Sequence, residues 1–332
     1  MTAASVAPVA VPEQREFEGL PFPLVLRPAP PVANGHTTKY SKADLSGWVA
    51  ENKQELERLA LKHGAVLLRG FHVPDPAVFN SVVEALGHDE LPYIGGAAPR
   101  TLIVGRVFTA NEAPAASVIP FHHEMAQVPS YPSHLFFYCD VPPAEGGQTP
   151  ICLSHEVYVR MAEAYPQFVA DLEKHGVQYT RVLPEYDDKE SAQGRGWRST
   201  FGTTTRQDTE AALASMGMTG EWLPNGDLKT VTGVLPAVQV DPRTGRKVWF
   251  NSVVAAFTGW KDVRNEEGKA VVLGDGRPLD GAAVNACLKI MNDVAVDFPW
   301  QQGDVLLIDN KVTMHGRRSF KPPRRILASL VK

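Results

Sequence analysis

Apolar residues recur at helical spacing between residues 43 and 62, where Leu45, Trp48, Val49, Leu56, Leu59 and Ala60 share a face and Gly64 stands just past the end as a stop. The run AVLLRGF, residues 65–71, is short and almost continuously apolar, which predicts a buried strand. Asp75-Pro76 then opens a second helix carrying Val78, Phe79, Val82, Val83 and Leu86, closed by Gly87. Between residues 91 and 119 the chain is rich in Gly, Ala and Pro around short β-prone pieces such as TLIVGRVF, residues 101–108. HLFFYCDV, residues 134–141, is the clearest strand, and PPAEGGQTPICL, residues 142–153, makes a turn and a second one. Ser154 is placed to cap a helix running to about Tyr165, and another helix follows to His175, stopped by Gly176. Residues 184–233 are polar: residues 184–197 read as a long loop, with a short helix near 208–217. Residues 246–254 and 303–310 predict strands, and 280–293 a helix.

Helices gather early and mid-chain, while strands lie toward both ends. No internal repeat or linker divides the chain, so one α+β domain over residues 17–332 is expected, with distant segments paired in a jelly-roll core (a double-stranded β-helix) flanked by helices. Residues 1–16 have no basic residue before Arg15 and are broken by Pro8 and Pro12, which reads as a disordered leader rather than a signal peptide.

Composition narrows the function classes. At 332 residues the chain is long enough to bury about three quarters of its unfolded surface without staples. The formal net charge of −4 gives no electrostatic case for nucleic acid or an anionic membrane, and no apolar run approaches a membrane span. Three cysteines, Cys139, Cys152 and Cys287, lack any CxxC spacing and suit a reducing, cytoplasmic setting.

Candidate chemistry begins at PFHHEM, residues 120–125. If this stretch is extended, His122 and Glu124 project together and His123 points away. With a second histidine from elsewhere, they complete the 2-His-1-carboxylate triad of non-haem iron oxygenases. His315, after the apolar run GDVLLIDN and before Gly316, is the best candidate. Such an enzyme needs a fixed cation for an anionic co-substrate, a task suited to arginine. Arg324 and Arg325, in KPPRRILASL, open an apolar strand, and only one of them can face inward. Ile326 and Ala328 share the parity of Arg324, and parity alone leaves the choice open. Thr149, in EGGQTP, can add a hydroxyl donor.

Taken in order, FHHEM, EGGQTP, GDVLLIDN…MHGRR and PPRRI resemble the taurine dioxygenase (TauD/TfdA) and clavaminate synthase-like family of Fe(II)/2-oxoglutarate-dependent oxygenases. GAVLLRGF and RKVWFN match as well, so the resemblance runs from about Phe17 onward and is nearest the clavaminate synthase-like subgroup. It implies Fe(II) on His122, Glu124 and His315, with 2-oxoglutarate and O2 as co-substrates. It also implies that Thr149 and Arg325 hold the distal carboxylate of 2-oxoglutarate. The expected reaction is hydroxylation of a small polar molecule, such as an amino acid, free or tethered to a carrier protein, with release of succinate and CO2. The position four past Arg325 is Ser329, which speaks against a sulfonate held as taurine is, and Glu124 speaks against halogenation.

Arg100, Asn111 and Arg198 are the candidates for substrate contact, with Arg106, Glu112 and the loop at residues 194–201 beside them. For each, a surface or packing role is the competing reading, Trp197 as an anchor above all. HEVYV, residues 155–159, lacks the second histidine of a zincin motif. The alternatives are a metal-dependent hydrolase or isomerase on the same scaffold, and a non-catalytic binding protein with a retained metal site.

Overall fold

The computed structural model describes residues 6–29, 44–191 and 193–332. Its main sheet has eight strands in the order Val6–Pro8, Leu24–Pro28, Ala65–Leu68, Val305–Asp309, His134–Val141, Arg325–Val331, Val107–Thr109 and Leu102–Val104. Every neighbouring pair is antiparallel except Leu24–Pro28 with Ala65–Leu68. A smaller sheet sets Thr313–Arg317 between Ile151–Leu153 and Ile119–His122.

Strand alternation sorts the core into layers. One face of the main sheet, with Val66, Leu68, Phe136, Tyr138, Leu307 and Leu327, packs on the helices Leu45–Glu51, Lys53–His63 and Pro76–Leu86. The other face, with Leu67, Phe137, Ile308 and Ile326, shares a core with Ile151 and Leu153 of the small sheet. Phe121, Cys152 and Met314 point outward from the small sheet into the helices Ser154–Ala164, Pro166–His175, Val253–Gly259 and Gly281–Val294. Ile151, His315 and His122 have the opposite parity and pair across the strands, so both histidines sit on the side that faces the space between the sheets.

Helix ends follow the sequence signals. Asp75 accepts from the N–H groups of Ala77 and Val78 at 2.9 Å each, and Gly87 closes that helix in the left-handed conformation. The helical stretch from Leu45 divides at Asn52 into two helices, Leu45–Glu51 and Lys53–His63, instead of one. Three expectations need correction. Residues 6–16 are not a disordered leader as far as they are described: Val6–Pro8 pairs with Leu24–Pro28, and Val9 and Val11 pack on the core. Ser154 lies inside its helix rather than capping it, because its hydroxyl is taken by His123. Residues 246–254 give only the strand Lys247–Val248 before turning into the helix Val253–Gly259, as Asn251 Oδ1 accepts from the Val253 N–H at 2.9 Å. The polar region also holds an unforeseen hairpin, Thr219–Trp222 with Leu228–Val231, and its helix lies at Arg206–Ser215.

Candidate active site

The strand Ile119–His122 ends one residue before His123, and Glu124 stands in a turn. An extended run through Met125 is therefore not what brings His122 and Glu124 together. Met125 takes φ +58°, and Asn310 pins the turn: its Oδ1 accepts from the Glu124 N–H at 2.9 Å. Its Nδ2 donates to the carbonyls of Glu124 at 3.1 Å and Pro132 at 2.9 Å. His122 and His315 lie side by side with ring centroids 4.4 Å apart, and Glu124 Oε2 is 3.7 Å from His315 Nε2. One donor atom from each of the three residues falls within 4.8 Å of the other two.

Protonation suits metal binding. His122 Nδ1 lies 2.9 Å from the Pro120 carbonyl, which can only accept, so Nδ1 carries a proton and Nε2 is the nitrogen left to face a metal. Burial pushes the His315 imidazole well below the usual histidine range, which keeps it neutral. Two imidazoles and one carboxylate on adjacent elements fit a first-row divalent ion with open positions. His123 takes no part: its Nδ1 donates to the Asn310 carbonyl and its Nε2 accepts from Ser154 Oγ at 2.9 Å. Its ring packs on Phe250, and burial lowers its pKa to about 3.

Of the two arginines, Arg324 and not Arg325 lines the cavity. Arg325 does not reach the site; its side chain is 46% exposed and its Nη1 lies 2.9 Å from Asp140 Oδ2. Arg324 lines the cavity instead, sharing the inward parity of Ile326, Ala328 and Leu330. The register shifts between Arg325 and Ile326, opposite Val141 and Cys139, and Asp140 falls in that irregularity. Arg324 Nε donates to the Gly147 carbonyl at 2.8 Å, and its Nη2 lies 3.4 Å from Thr149 Oγ1. Thr149 Oγ1 also accepts from Trp300 Nε1 at 3.2 Å, so both lone pairs are engaged and its own proton is left to donate. Burial lowers the Arg324 pKa to about 10, and no carboxylate among the described residues pairs with it. Counting four past Arg324 gives Ala328, which is no more able than Ser329 to hold a sulfonate.

The other candidates divide. Arg100 lines the cavity, donating from Nη2 to Glu124 Oε2 at 2.9 Å and lying over the Tyr93 ring at 4.0 Å. Asn111 lines it too, with Oδ1 turned back to the Ala113 N–H at 2.6 Å. Arg198 is held away by Glu185 and the Thr204 carbonyl. Arg106 binds the His88 carbonyl, Glu112 accepts from Thr101 and Thr109, and Trp197 is a buried anchor beside Trp222. Arg317 is buried and donates to the carbonyls of Ala113, Pro114 and Ser117. Sequence reasoning missed Asn310 and Gln193, neither of which sits in a pattern that announces a site, and parity had left Arg324 and Arg325 undecided.

Comparison with known proteins gives a consistent picture. The family model described as "Taurine catabolism dioxygenase TauD, TfdA family" matches residues 27–330. Clavaminate synthase-like protein At3g21360 of Arabidopsis thaliana is 53% identical over 322 residues, covering 97% of each chain. Dapdiamide synthesis protein DdaC of Enterobacter agglomerans is 25% identical over 287 residues, 83% of this chain and 84% of its own. Among solved structures, PvcB from Pseudomonas aeruginosa overlays with a TM-score of 0.52 at 16% identity, covering 99% of this chain and 92% of that one. This likeness is one of fold. With the two facing sheets it supports a jelly-roll core, and no helix among the described residues is long and apolar enough to cross a membrane.

Proposed function

We propose that this chain, which belongs to the TauD/TfdA family of dioxygenases, works as a single Fe(II)- and 2-oxoglutarate-dependent dioxygenase domain on a double-stranded β-helix. In this reading it hydroxylates a small polar substrate and releases succinate and CO2. The observation that carries it is the buried Arg324 guanidinium beside Thr149, lining the same cavity as the His122, Glu124 and His315 donors. A buried cation without an anionic partner is costly, and a dicarboxylate co-substrate would supply the missing charge. A metal-dependent hydrolase or isomerase has no need of a dedicated dicarboxylate anchor, and the intact set of three donors beside the arginine counts against a non-catalytic binder.

Each residue then has a stated task. His122 Nε2, the Glu124 carboxylate and His315 would hold iron. Arg324 and the Thr149 hydroxyl would take the distal carboxylate of 2-oxoglutarate, with Trp300 and Gly147 fixing both. Bound iron, 2-oxoglutarate and O2 would supply the oxidising power, while the protein orients substrate and excludes water. Glu124 fills the place that a halide would need. DdaC is a dapdiamide synthesis protein and the fold neighbour PvcB an Fe, alpha-ketoglutarate dependent oxygenase from an isonitrile synthetic pathway, which favours a small-molecule substrate, free or carrier-bound. An anaerobic titration with Fe(II) and 2-oxoglutarate tests the reading: a weak visible charge-transfer band is expected, and its absence in metal-loaded protein contradicts it.

A further inference from the structure

Three guanidiniums line the cavity, those of Arg100, Arg317 and Arg324, against a single carboxylate among the described lining residues, Glu124. Under the proposed function Fe(II) adds two positive charges and 2-oxoglutarate two negative ones, which cancel. The lining is thus left with two surplus positive charges. Arg317 holds three backbone carbonyls through Nη1 and Nη2, with its Nε–H buried and unpartnered, and Arg324 is assigned to the co-substrate. Arg100 remains. Its side chain is 7% exposed, and its guanidinium carbon lies 4.0 Å from the centroid of the Tyr93 ring, which Arg195 also meets at 4.7 Å. Its Nη2 reaches Glu124, but its Nε–H is buried with no hydrogen-bond partner among the described residues. Gln193, 4% exposed, lines the same cavity, and its Nε2 is buried and unpartnered as well.

Together with the Arg317 Nε–H, these buried donors without acceptors in a cavity of surplus positive charge call for an anionic acceptor. An ammonium group has no comparable partner. Glu124 is committed to the metal and to Arg100, and the neutral walls at Val118, Ile119, Ala255 and Trp260 offer it no charge. We infer that the substrate is a carboxylate without a charged amino group, its carboxylate held by Arg100 and Gln193 and its uncharged body lying on the apolar wall. This rests on the oxygenase reading and narrows it, turning away from the free amino acids and carrier-tethered aminoacyl groups that the sequence resemblance suggested.

The test uses the full chain loaded anaerobically with Fe(II) and 2-oxoglutarate, reading the charge-transfer band and the thermal midpoint. Three sets are added: C4–C8 alkanoic, 2-hydroxy and N-acetylamino acids; the methyl esters of those acids; and the free L-amino acids. At least one acid is expected to perturb the band and raise the midpoint while its ester does neither. A free amino acid should bind at least tenfold more weakly than its N-acetyl form. Arg100→Gln should weaken the effective acid at least tenfold and Arg100→Lys less. Gln193→Leu should weaken it at unchanged iron content, which keeps the test decisive if Arg100→Gln loses metal. The inference is overturned if an ester or a free amino acid binds as well as the matching acid, or if no acid of the set perturbs the band. A chain that binds iron but never forms the band instead removes the oxygenase reading, and this inference with it.

Discussion

Arg324 and Arg325 are neighbours with different surroundings, one against Thr149 and the Gly147 carbonyl, the other on Asp140 near solvent. Arg324→Ala should therefore raise the KM for 2-oxoglutarate about 10- to 100-fold, as expected for loss of a charge-assisted hydrogen bond of roughly 1.5–3 kcal/mol. Arg325→Ala breaks a half-exposed ion pair worth at most about 1 kcal/mol and should leave that KM within about twofold. Steady-state succinate release at varied 2-oxoglutarate checks both, and the reverse ranking would return the anchor to Arg325. The tandem histidines make a second pair of opposites. His122→Ala should lose stoichiometric metal. His123→Ala should keep it while losing roughly 2–4 kcal/mol in denaturant melts, since Ser154 and the Asn310 carbonyl lose their buried partner. The three residues that the structure brings together as candidate metal donors were legible in the sequence because His-x-Glu and His-Gly are local. The arginine was not, because an irregularity in strand pairing depends on a partner strand far away in the chain.

At the scale of elements, the site depends on how one turn is fastened. Glu124 leaves the strand that carries His122, and its position comes from Asn310, which follows the strand Val305–Asp309 of the main sheet. Asn310 thus ties the turn bearing the carboxylate to the sheet opposite the one that carries both histidines. Asn310→Ala should cost about 3 kcal/mol, because three hydrogen bonds go and the Glu124 N–H is left buried. It should also weaken metal binding roughly 10- to 100-fold, the usual effect of removing an outer support. Urea melts and a metal titration measure the two effects, and intact metal affinity would show that the turn holds its shape unaided. Helices with a cap and a glycine stop, such as Pro76–Leu86, were legible from their own residues. The segment after Lys247–Val248 was not. VWFNSVV has the apolar run of a strand, yet the Asn251 side chain caps the Val253 N–H and the buried Val253, Val254 and Ala256 fill a helical face.

Across the whole molecule, both sheets join segments from opposite ends of the chain: His122 pairs with His315 and Ala65–Leu68 with Val305–Asp309. Hydrophobic periodicity gave the layers' members but no account of which strands meet, since pairing is set by register between distant segments. That interior also encloses several neutral histidines. Burial lowers His123 to about 3, and it lowers His63, His134 and His155 from the ordinary value. A group whose folded pKa lies below its unfolded value of about 6.5 binds fewer protons in the native state. Its contribution to stability is complete above that pH and is lost as pH falls toward the folded value, at up to about 1.4 kcal/mol per pH unit for each histidine inside its window. The metal-free protein should therefore lose thermal stability progressively below about pH 6.5, before the carboxylates Asp241 and Asp262, themselves held below the usual range, begin to protonate. Melting curves from pH 7.5 to 4.5 check this. His63→Gln removes a ring whose Nδ1 donates to the Pro21 carbonyl at 2.9 Å, so it should lower stability at pH 7.5 yet flatten the decline. A midpoint independent of pH between 7 and 5 in the parent chain would mean that these rings protonate in place, and that the interior is wetter than its packing implies.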